Sequence, residues 1–200
     1  MISAEGGVEL ASRTRVSCAW KKFTELRPIL TARCASLKLK GKIYTACGQS
    51  AMVYGSETWP MKVEDMQRLQ RAERMMVRWM CGVTLKNRIT SEDLLRGVKV
   101  RSVFEVVRRG KLRWFGHVER KADEDWVKKC QHLVVDGKAG RGRKTWLECV
   151  NRDMKEMGLR VDDARERQVW RGKIFGETSK PCKHGKMDAN KDDDDDDDYY

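Results

Sequence analysis

The segment richest in groups that could bind a ligand is Arg113–Arg120, where a Trp, a Phe, a Gly and a His lie between cations. It closes a longer stretch in which Val103, Val107 and Trp114 recur at helical spacing. Cations flank that apolar stripe, and a helix that buries one face while carrying cations on another is suited to holding a polyanion. The alternative interpretation is a solvated helix whose aromatic residues simply belong to the core.

A second row of cations is predicted between Lys62 and Cys81. Arginines at 68, 71, 74 and 78 recur at helical spacing beside an apolar face. The predicted inward residues are Met66, Leu69, Met76, Val77 and Met80. This pattern predicts a long helix whose outer surface is cationic.

A Gly/Arg-rich loop, Lys138–Lys144, comes directly before a predicted helix that begins at Trp146. Glycines let a backbone approach a phosphate, and Arg side chains can pair with it. Cations before a helix N-terminus oppose the helix dipole unless an anion sits there, so we predict phosphate contacts; a solvated surface loop is the alternative. The candidate nucleic-acid-binding residues are Arg71, Arg74, Arg78, Arg108, Arg109, Lys111, Arg113, His117, Arg120, Lys138, Arg141, Arg143 and Lys144.

The composition favours a nucleic-acid partner. The 200 residues contain 42 Lys and Arg against 30 Asp and Glu, and seven of those acids form one run, Asp192–Asp198. The remaining body is therefore strongly basic, which suggests nucleic acid first and an anionic membrane surface second. No apolar run approaches the roughly 20 residues that span a bilayer, and the first residues do not resemble a secretory signal. We expect RNA, DNA or both as partners and no membrane.

The cysteines and histidines predict neither a disulfide framework nor a metal site. Seven cysteines occur without a Cys-x-x-Cys pair, which favours reduced thiols and an intracellular protein, nuclear or cytoplasmic. Cys130 with His132, and Cys182 with His184, are spaced too closely for the common zinc motifs. No Ser or Cys nucleophile has a base placed beside it. We therefore expect no cofactor, no metal and no independent catalysis.

Helical spacing runs through most of the chain and predicts an all-α fold, an irregular multi-helix bundle with a disordered acidic C-terminal tail. The predicted helices are 8–27, 36–54, 62–81, 91–97, 101–120, 146–157 and 162–175, with a short one around Trp126. Pro28, Gly82, Gly97 and Gly158 are predicted to end or bend the helices that they follow. The predicted buried faces include Leu39, Ile43, Cys47 and Ala51 in the second helix, and Val169, Trp170 and Ile174 in the last.

Four short motifs then occur in a fixed order. They are Tyr54–Trp59 (YGSETW), Arg78–Val83 (RWMCGV), Leu112–Val118 (LRWFGHV) and Gly140–Trp146 (GRGRKTW). Together they resemble the region after the polymerase palm in non-LTR (LINE-type) retrotransposon reverse transcriptases. The resemblance runs from about Met1 to Phe175, and its specificity comes from the order and spacing of the four motifs.

The resemblance implies an organisation and a role. Residues 1–60 would be a thumb-like helical remnant, 61–176 a basic helical C-terminal extension and 177–200 a disordered tail. In this family the thumb holds the primer–template, and the extension binds element RNA or target DNA. The chain would then be a truncated, non-catalytic part of an RNA-directed DNA polymerase, with the missing palm as a further partner.

The sequence also departs from the family. The metal-binding Asp-Asp motif of the palm is absent, because Asp162-Asp163 and the Asp pairs of the tail lack flanking apolar strand residues. Gly142 replaces the Pro that is usual in the basic loop. Polymerisation by this chain alone is therefore not expected. Two hypotheses follow: a module that grips the nucleic-acid backbone, or a helical protein-interaction fragment.

Overall fold

The computed structural model describes residues 8–131 and 144–176. Within these stretches no strand occurs and every regular element is helical, so the predicted all-α class is confirmed. The predicted tail, 177–200, lies outside the described residues. No helix in the described stretches is long and apolar enough to cross a bilayer. The α-helices are α1 (Val8–Leu30), α2 (Leu37–Ile43), α3 (Ser50–Val53), α4 (Val63–Cys81), α5 (Ser91–Val98), α6 (Val103–Glu119), α7 (Trp126–Gln131), α8 (Trp146–Met157) and α9 (Arg167–Phe175).

Local capping explains most helix ends. Thr145 and Glu148 form a reciprocal capping box at the start of α8. Gly82 and Gly158 adopt left-handed backbone after α4 and α8, with φ of 65° and 66°, and end those helices as predicted. Pro28 is different, because it lies within the last turn of α1, which continues to Leu30. So late in a helix, the missing proline N–H costs one hydrogen bond rather than the whole element.

Two predicted helix limits were wrong. Gly97 lies inside α5, which begins after the N-cap Thr90 and ends after Val98, because Lys99 takes the left-handed conformation with φ of 57°. The predicted helix 162–175 is divided into a 3-10 turn, Val161–Arg165, and α9, because Glu166 between them is extended. Its predicted inward residue Val169 is 37% exposed, while the other two, Trp170 and Ile174, are buried.

A π-helical segment, Tyr44–Gln49, joins α2 to α3, and the residues that face the core in this region differ from those predicted. Leu39 of the predicted buried face is exposed, and Ile43, Cys47 and Ala51 are only partly buried. The buried residues are Lys40, Gly41, Tyr44, Gly48, Gln49 and Met52. The buried positions 40, 44, 48 and 52 keep the predicted spacing of four residues but lie one position later, and this shift is already present at Lys40 in α2, before the π segment. The predicted stripe was therefore wrong by one position.

The hydrophobic core has two clusters that share helix α6. The first joins α1, the α2–α3 region, α4 and α5 with Val103 and Val107 at the start of α6. The second joins Leu112 and Phe115, further along α6, with α8 and α9. Helix α1 packs directly on α4 within the first cluster.

Glycine lets α6 and α9 approach closely. A Cβ atom on Gly116 would lie 2.3 Å from Trp170 Nε1, which donates a 2.9 Å hydrogen bond to the Leu112 carbonyl. The glycine of the LRWFGHV motif is therefore a packing requirement of the second cluster.

Candidate nucleic-acid interface

Helix α4 presents arginines on the side opposite its buried face. That buried face contains the predicted Leu69, Met76, Val77 and Met80. Arg71 and Arg74 are exposed, and neither forms a salt bridge with a carboxylate in the described stretches. Arg68 differs, because its Nη1 lies 2.8 Å from Asp65 Oδ1 and donates a 2.7 Å hydrogen bond to Ser12 Oγ. Arg71 and Arg74 are thus available to an external anion.

Arg78, in the same row, braces the loop that follows α4. Its Nη1 donates to the Thr84 carbonyl at 3.2 Å and its Nη2 donates to the Ile89 carbonyl at 2.9 Å. These bonds close the loop across its base. The structure therefore gives Arg78 a positioning role beside the row of free arginines.

The acid between Arg71 and Arg74 in the sequence, Glu73, is turned into the core. Its two carboxylate oxygens each accept a 3.0 Å hydrogen bond from the Val103 N–H at the start of α6. The Gln49 side-chain amide donates a further 3.0 Å bond. Burial raises the pKa of the Glu73 carboxyl to about 7, although these hydrogen bonds and the charge of Arg74 act in the opposite direction. Glu73 thus holds the start of α6 and does not neutralise the surface of α4.

Lys111, a predicted phosphate contact, is buried. Its Nζ lies 2.7 Å from Asp153 Oδ2 of α8, and both side chains are almost inaccessible. Asp153 Oδ1 also lies 3.6 Å from Arg152 Nη2. Lys111 therefore joins α6 to α8 and is not open to a polymer. Sequence reasoning could not find this pair, because its partners are 42 positions apart in the sequence.

Arg108 and Arg109 are also engaged within the fold. Arg108 Nη1 lies 3.6 Å from Glu156 Oε2, and its guanidinium lies over the Phe104 ring. Arg109 Nη2 lies 2.5 Å from Glu105 Oε1. Both side chains are largely buried, at 25% and 18% exposure, so their charges serve helix packing first.

The outer side of α6 carries the remaining predicted residues of this helix. Arg113 and His117 are exposed, one turn apart, and the His117 ring stacks on Trp114 with 5.4 Å between centroids. Arg120 donates a 2.8 Å hydrogen bond to the Ala164 carbonyl. Burial, and then the charge of Arg167, lower the pKa of the Arg120 guanidinium. Arg113 and His117 thus form a second, smaller candidate surface.

The predicted basic loop is described only at its last residue, since Lys138, Arg141 and Arg143 lie outside the described residues. Lys144 Nζ donates a 3.2 Å hydrogen bond to the Met61 carbonyl. Trp146 Nε1 donates a 2.6 Å bond to the Glu57 carbonyl. The structure therefore brings Lys144 and Trp146, at the end of the GRGRKTW motif, against the segment 57–61.

Sequence reasoning omitted two cations that adjoin the α4 row. Lys86 and Arg88 are exposed in the loop 82–90, which Arg78 closes. A usable signal was present, because no acidic residue occurs between Glu73 and Glu92. Among the described residues no group of three or more His, Cys, Asp or Glu side chains could hold a metal ion. Three residues of the Cys/His pairs that were not expected to bind zinc, His132, Cys182 and His184, lie outside the described residues.

Comparison with known proteins gives one distant similarity. The chain is 26% identical over 130 residues to a transposon-derived, uncharacterized protein of Caenorhabditis elegans. The match covers 63% of this chain and 46% of that protein, so the chain spans less than half of the relative's length. No family model matches the chain, and no solved structure gives a significant match.

Proposed function

We propose that this chain binds the phosphate backbone of nucleic acid through the cationic surface of α4, as a non-catalytic part of a retrotransposon reverse transcriptase. The observation that carries the proposal is the exposed pair Arg71 and Arg74, which has no described carboxylate partner. Of the three acids of α4, Asp65 and Glu73 are buried and bonded inward, and Glu64 is exposed. Cations that are not neutralised within the protein can replace the counterions of a polyanion.

Charge in this part of the chain is one-sided. Residues 62–101 contain ten Lys and Arg against five Asp and Glu. Two of the five acids are buried, at 2% and 3% exposure. Arg71, Arg74, Lys86 and Arg88 are all exposed and have no carboxylate partner among the described residues, so each could contact a phosphate backbone. Contacts of this kind position a nucleic acid and read little sequence.

Two further lines support the proposal. The similarity to a transposon-derived protein favours an origin in a mobile element. The four ordered motifs favour the reverse-transcriptase family within that class. Arg113 and His117, and the loop residues Lys138, Arg141 and Arg143, remain predicted contacts in this account, whereas Lys111, Arg108 and Arg109 are assigned to packing.

Salt dependence of binding tests the proposal. The full chain would be titrated against fluorescent single-stranded RNA, duplex DNA and a primed template, each at several salt concentrations. We expect the logarithm of the affinity to fall linearly with the logarithm of the salt concentration, with a slope of about one per neutralised phosphate. Absence of salt-dependent binding to all three probes would overturn the proposal.

A protein partner, such as the palm of a polymerase, is the second candidate. Trp126 is 78% exposed and its neighbour Val127 is 40% exposed, on a helix that buries none of its residues. An aromatic side chain of this size gains most from a contact that removes it from water. If Trp126→Ser abolishes self-association of the purified chain while nucleic-acid affinity is unchanged, the protein-interaction function is favoured.

A further inference from the structure

The loop between α4 and α5, residues 82–90 (the α4–α5 loop), exposes an apolar side chain at its tip. Leu85 is 80% exposed, at the start of the 3-10 turn Leu85–Asn87. Ile89, on the returning side, is 38% exposed. A single exposed leucine is common on protein surfaces. Whether Leu85 has a function must therefore be judged from the rigidity of its loop and the charges near it.

The α4–α5 loop is held in one shape by polar contacts. The Thr84 N–H and hydroxyl both lie within hydrogen-bond distance of Asn87 Oδ1, at 2.9 and 2.8 Å. Arg78 bonds to the carbonyls of Thr84 and Ile89 and so joins the two sides. At the far end, Thr90 caps helix α5. These bonds fix the direction in which Leu85 points, although the loop contributes no buried side chain at its tip.

The tip carries two cations, and the acids that follow it in the sequence, Glu92 and Asp93, lie in the first turn of α5. Lys86 and Arg88 are exposed on either side of Asn87, and Arg74 lies beside the first turns of α5. The stretch from Arg74 to Ser91 contains no Asp or Glu. The partner of the loop is therefore expected to be a polyanion that also offers an apolar site.

We propose that the α4–α5 loop is a wedge that enters a groove of base-paired nucleic acid, with Leu85 against the base pairs and Lys86 and Arg88 on the flanking phosphates. The inference rests on the proposed function and adds the form of nucleic acid that is bound. Leucine has no hydrogen-bonding group to read a base edge, but apolar side chains of this kind insert between base steps and kink a duplex. Single-strand binding usually uses aromatic rings for stacking, and the tip of this loop has none.

Arg78 is then a positioning residue, since it acts on the duplex through the loop that it closes. Replacing it by lysine keeps the charge but cannot reproduce both carbonyl bonds. We expect Arg78→Lys to increase hydrogen exchange of the amides from Thr84 to Thr90 and to weaken duplex binding, with the salt slope unchanged.

The test uses the full chain and short duplexes labelled at both ends with a donor and an acceptor dye. DNA duplex and RNA–DNA hybrid are run separately, because both offer base pairs and phosphates. Wild type should raise energy transfer by bending the duplex. Leu85→Ala should abolish that rise. It should also lower the affinity about fivefold, because alanine buries much less apolar area against the base pairs than leucine does. The double variant Lys86→Gln/Arg88→Gln should lower the salt slope by about two.

Leu10→Ala is the matched control, because Leu10 is also exposed, at 55%, but lies on α1. If wild type binds nucleic acid and Leu85→Ala equals it in affinity and bending, the wedge is refuted while the proposed function stands. If wild type binds no nucleic acid, the proposed function itself fails. If Leu85→Ala instead loses binding to phosphatidylserine vesicles and retains duplex binding, the loop is a membrane contact and the wedge is again refuted.

Discussion

Helices α4 and α6 each carry four Lys or Arg residues and use these cations in opposite ways. On α4 the acids Asp65 and Glu73 turn inward, so Arg71 and Arg74 remain exposed on the outside. On α6 the cation Lys111 turns inward to Asp153, and Arg108 and Arg109 pair with carboxylates. The number of cations on a helix therefore says little about binding, because the positions of the acids on neighbouring helices decide which cations are available.

The two helices also differ in the buried polar contacts that they make to other elements. Each makes a buried polar contact to another element, Glu73 to the start of α6 and Lys111 to α8. On α4 the buried group is the acid, so burial leaves an excess of positive charge on the surface. On α6 the buried group is the cation together with its acid, so no charge is left over. Substitutions on the two helices test this contrast.

Removing the buried cation of α6 should have the largest effect. Lys111→Met leaves Asp153 buried without its main partner, and we expect the free energy of unfolding to fall by about 3 kcal/mol, at the lower end for a broken buried pair because Arg152 remains nearby. Urea denaturation measures this loss. The double variant Lys111→Met/Asp153→Leu should recover most of it, and a single variant as stable as wild type would contradict the structural role of Lys111.

The buried acid of α4 should make stability depend on pH. The folded chain binds the Glu73 proton more tightly than the unfolded chain does, since the pKa is raised to about 7 from 4.5. Its contribution is fully present below pH 4.5 and is lost as the pH rises through 7, by about 3 kcal/mol or less. The difference in unfolding free energy between wild type and Glu73→Gln, measured from pH 5 to 8, should therefore change in favour of the variant. A difference that is constant with pH would show that Glu73 is not perturbed.

Gly116, where α6 packs against α9, should not tolerate a larger side chain. Gly116→Ala would place a methyl group 2.3 Å from Trp170 Nε1, and we expect a loss of about 2 kcal/mol despite the better helix propensity of alanine. Gly97→Ala in α5 is the control, because a Cβ there meets nothing within 4 Å. That variant should gain about 0.5–1 kcal/mol. Thermal melts of both proteins would reveal the opposite signs, and equal shifts would contradict the close approach of α6 to α9.

Neutralising the free arginines of α4 should barely affect folding. Arg71→Gln/Arg74→Gln removes two exposed charges without a described salt-bridge partner, so the unfolding free energy should stay within about 0.5 kcal/mol of wild type. Urea denaturation gives the comparison with Lys111→Met. A large loss would mean that these arginines stabilise the fold and are not held ready for a ligand.

Features of the fold that depend on neighbouring residues were predicted from the sequence, whereas features that depend on contacts between distant residues were not. Helices α4 and α8 were predicted to within a residue or two, because their periodicity and the stops at Gly82 and Gly158 are local. The buried face of 37–53 was missed by one position, because the polar Lys40 and Gln49 are buried and the apolar Leu39 is exposed. Lys99 ended α5 where Gly97 was expected, and the residue that the helix gains, Val98, is fully buried.

The candidate site shows the same limit. Arg71 and Arg74 could be predicted as outward residues from the spacing of α4 alone. The burial of Lys111 could not, because Asp153 reaches it only through the packing of α8 on α6. Lys86 and Arg88 were overlooked because they lie in a loop, where no periodicity marks an exposed face. A count of acids across the stretch 74–91 would have drawn attention to them.

The most direct test of the account compares the salt dependence of nucleic-acid binding for cations that are free and cations that are paired. Arg71→Gln/Arg74→Gln removes two free charges, whereas Lys121→Gln/Lys128→Gln removes two that lie 3.0 and 2.6 Å from Asp125 and Asp123. We predict that the first variant lowers the slope of log affinity against log salt by about two, while the second leaves it unchanged. An equal decrease in both variants, or a decrease in the second alone, would contradict the claim that α4 provides the binding surface.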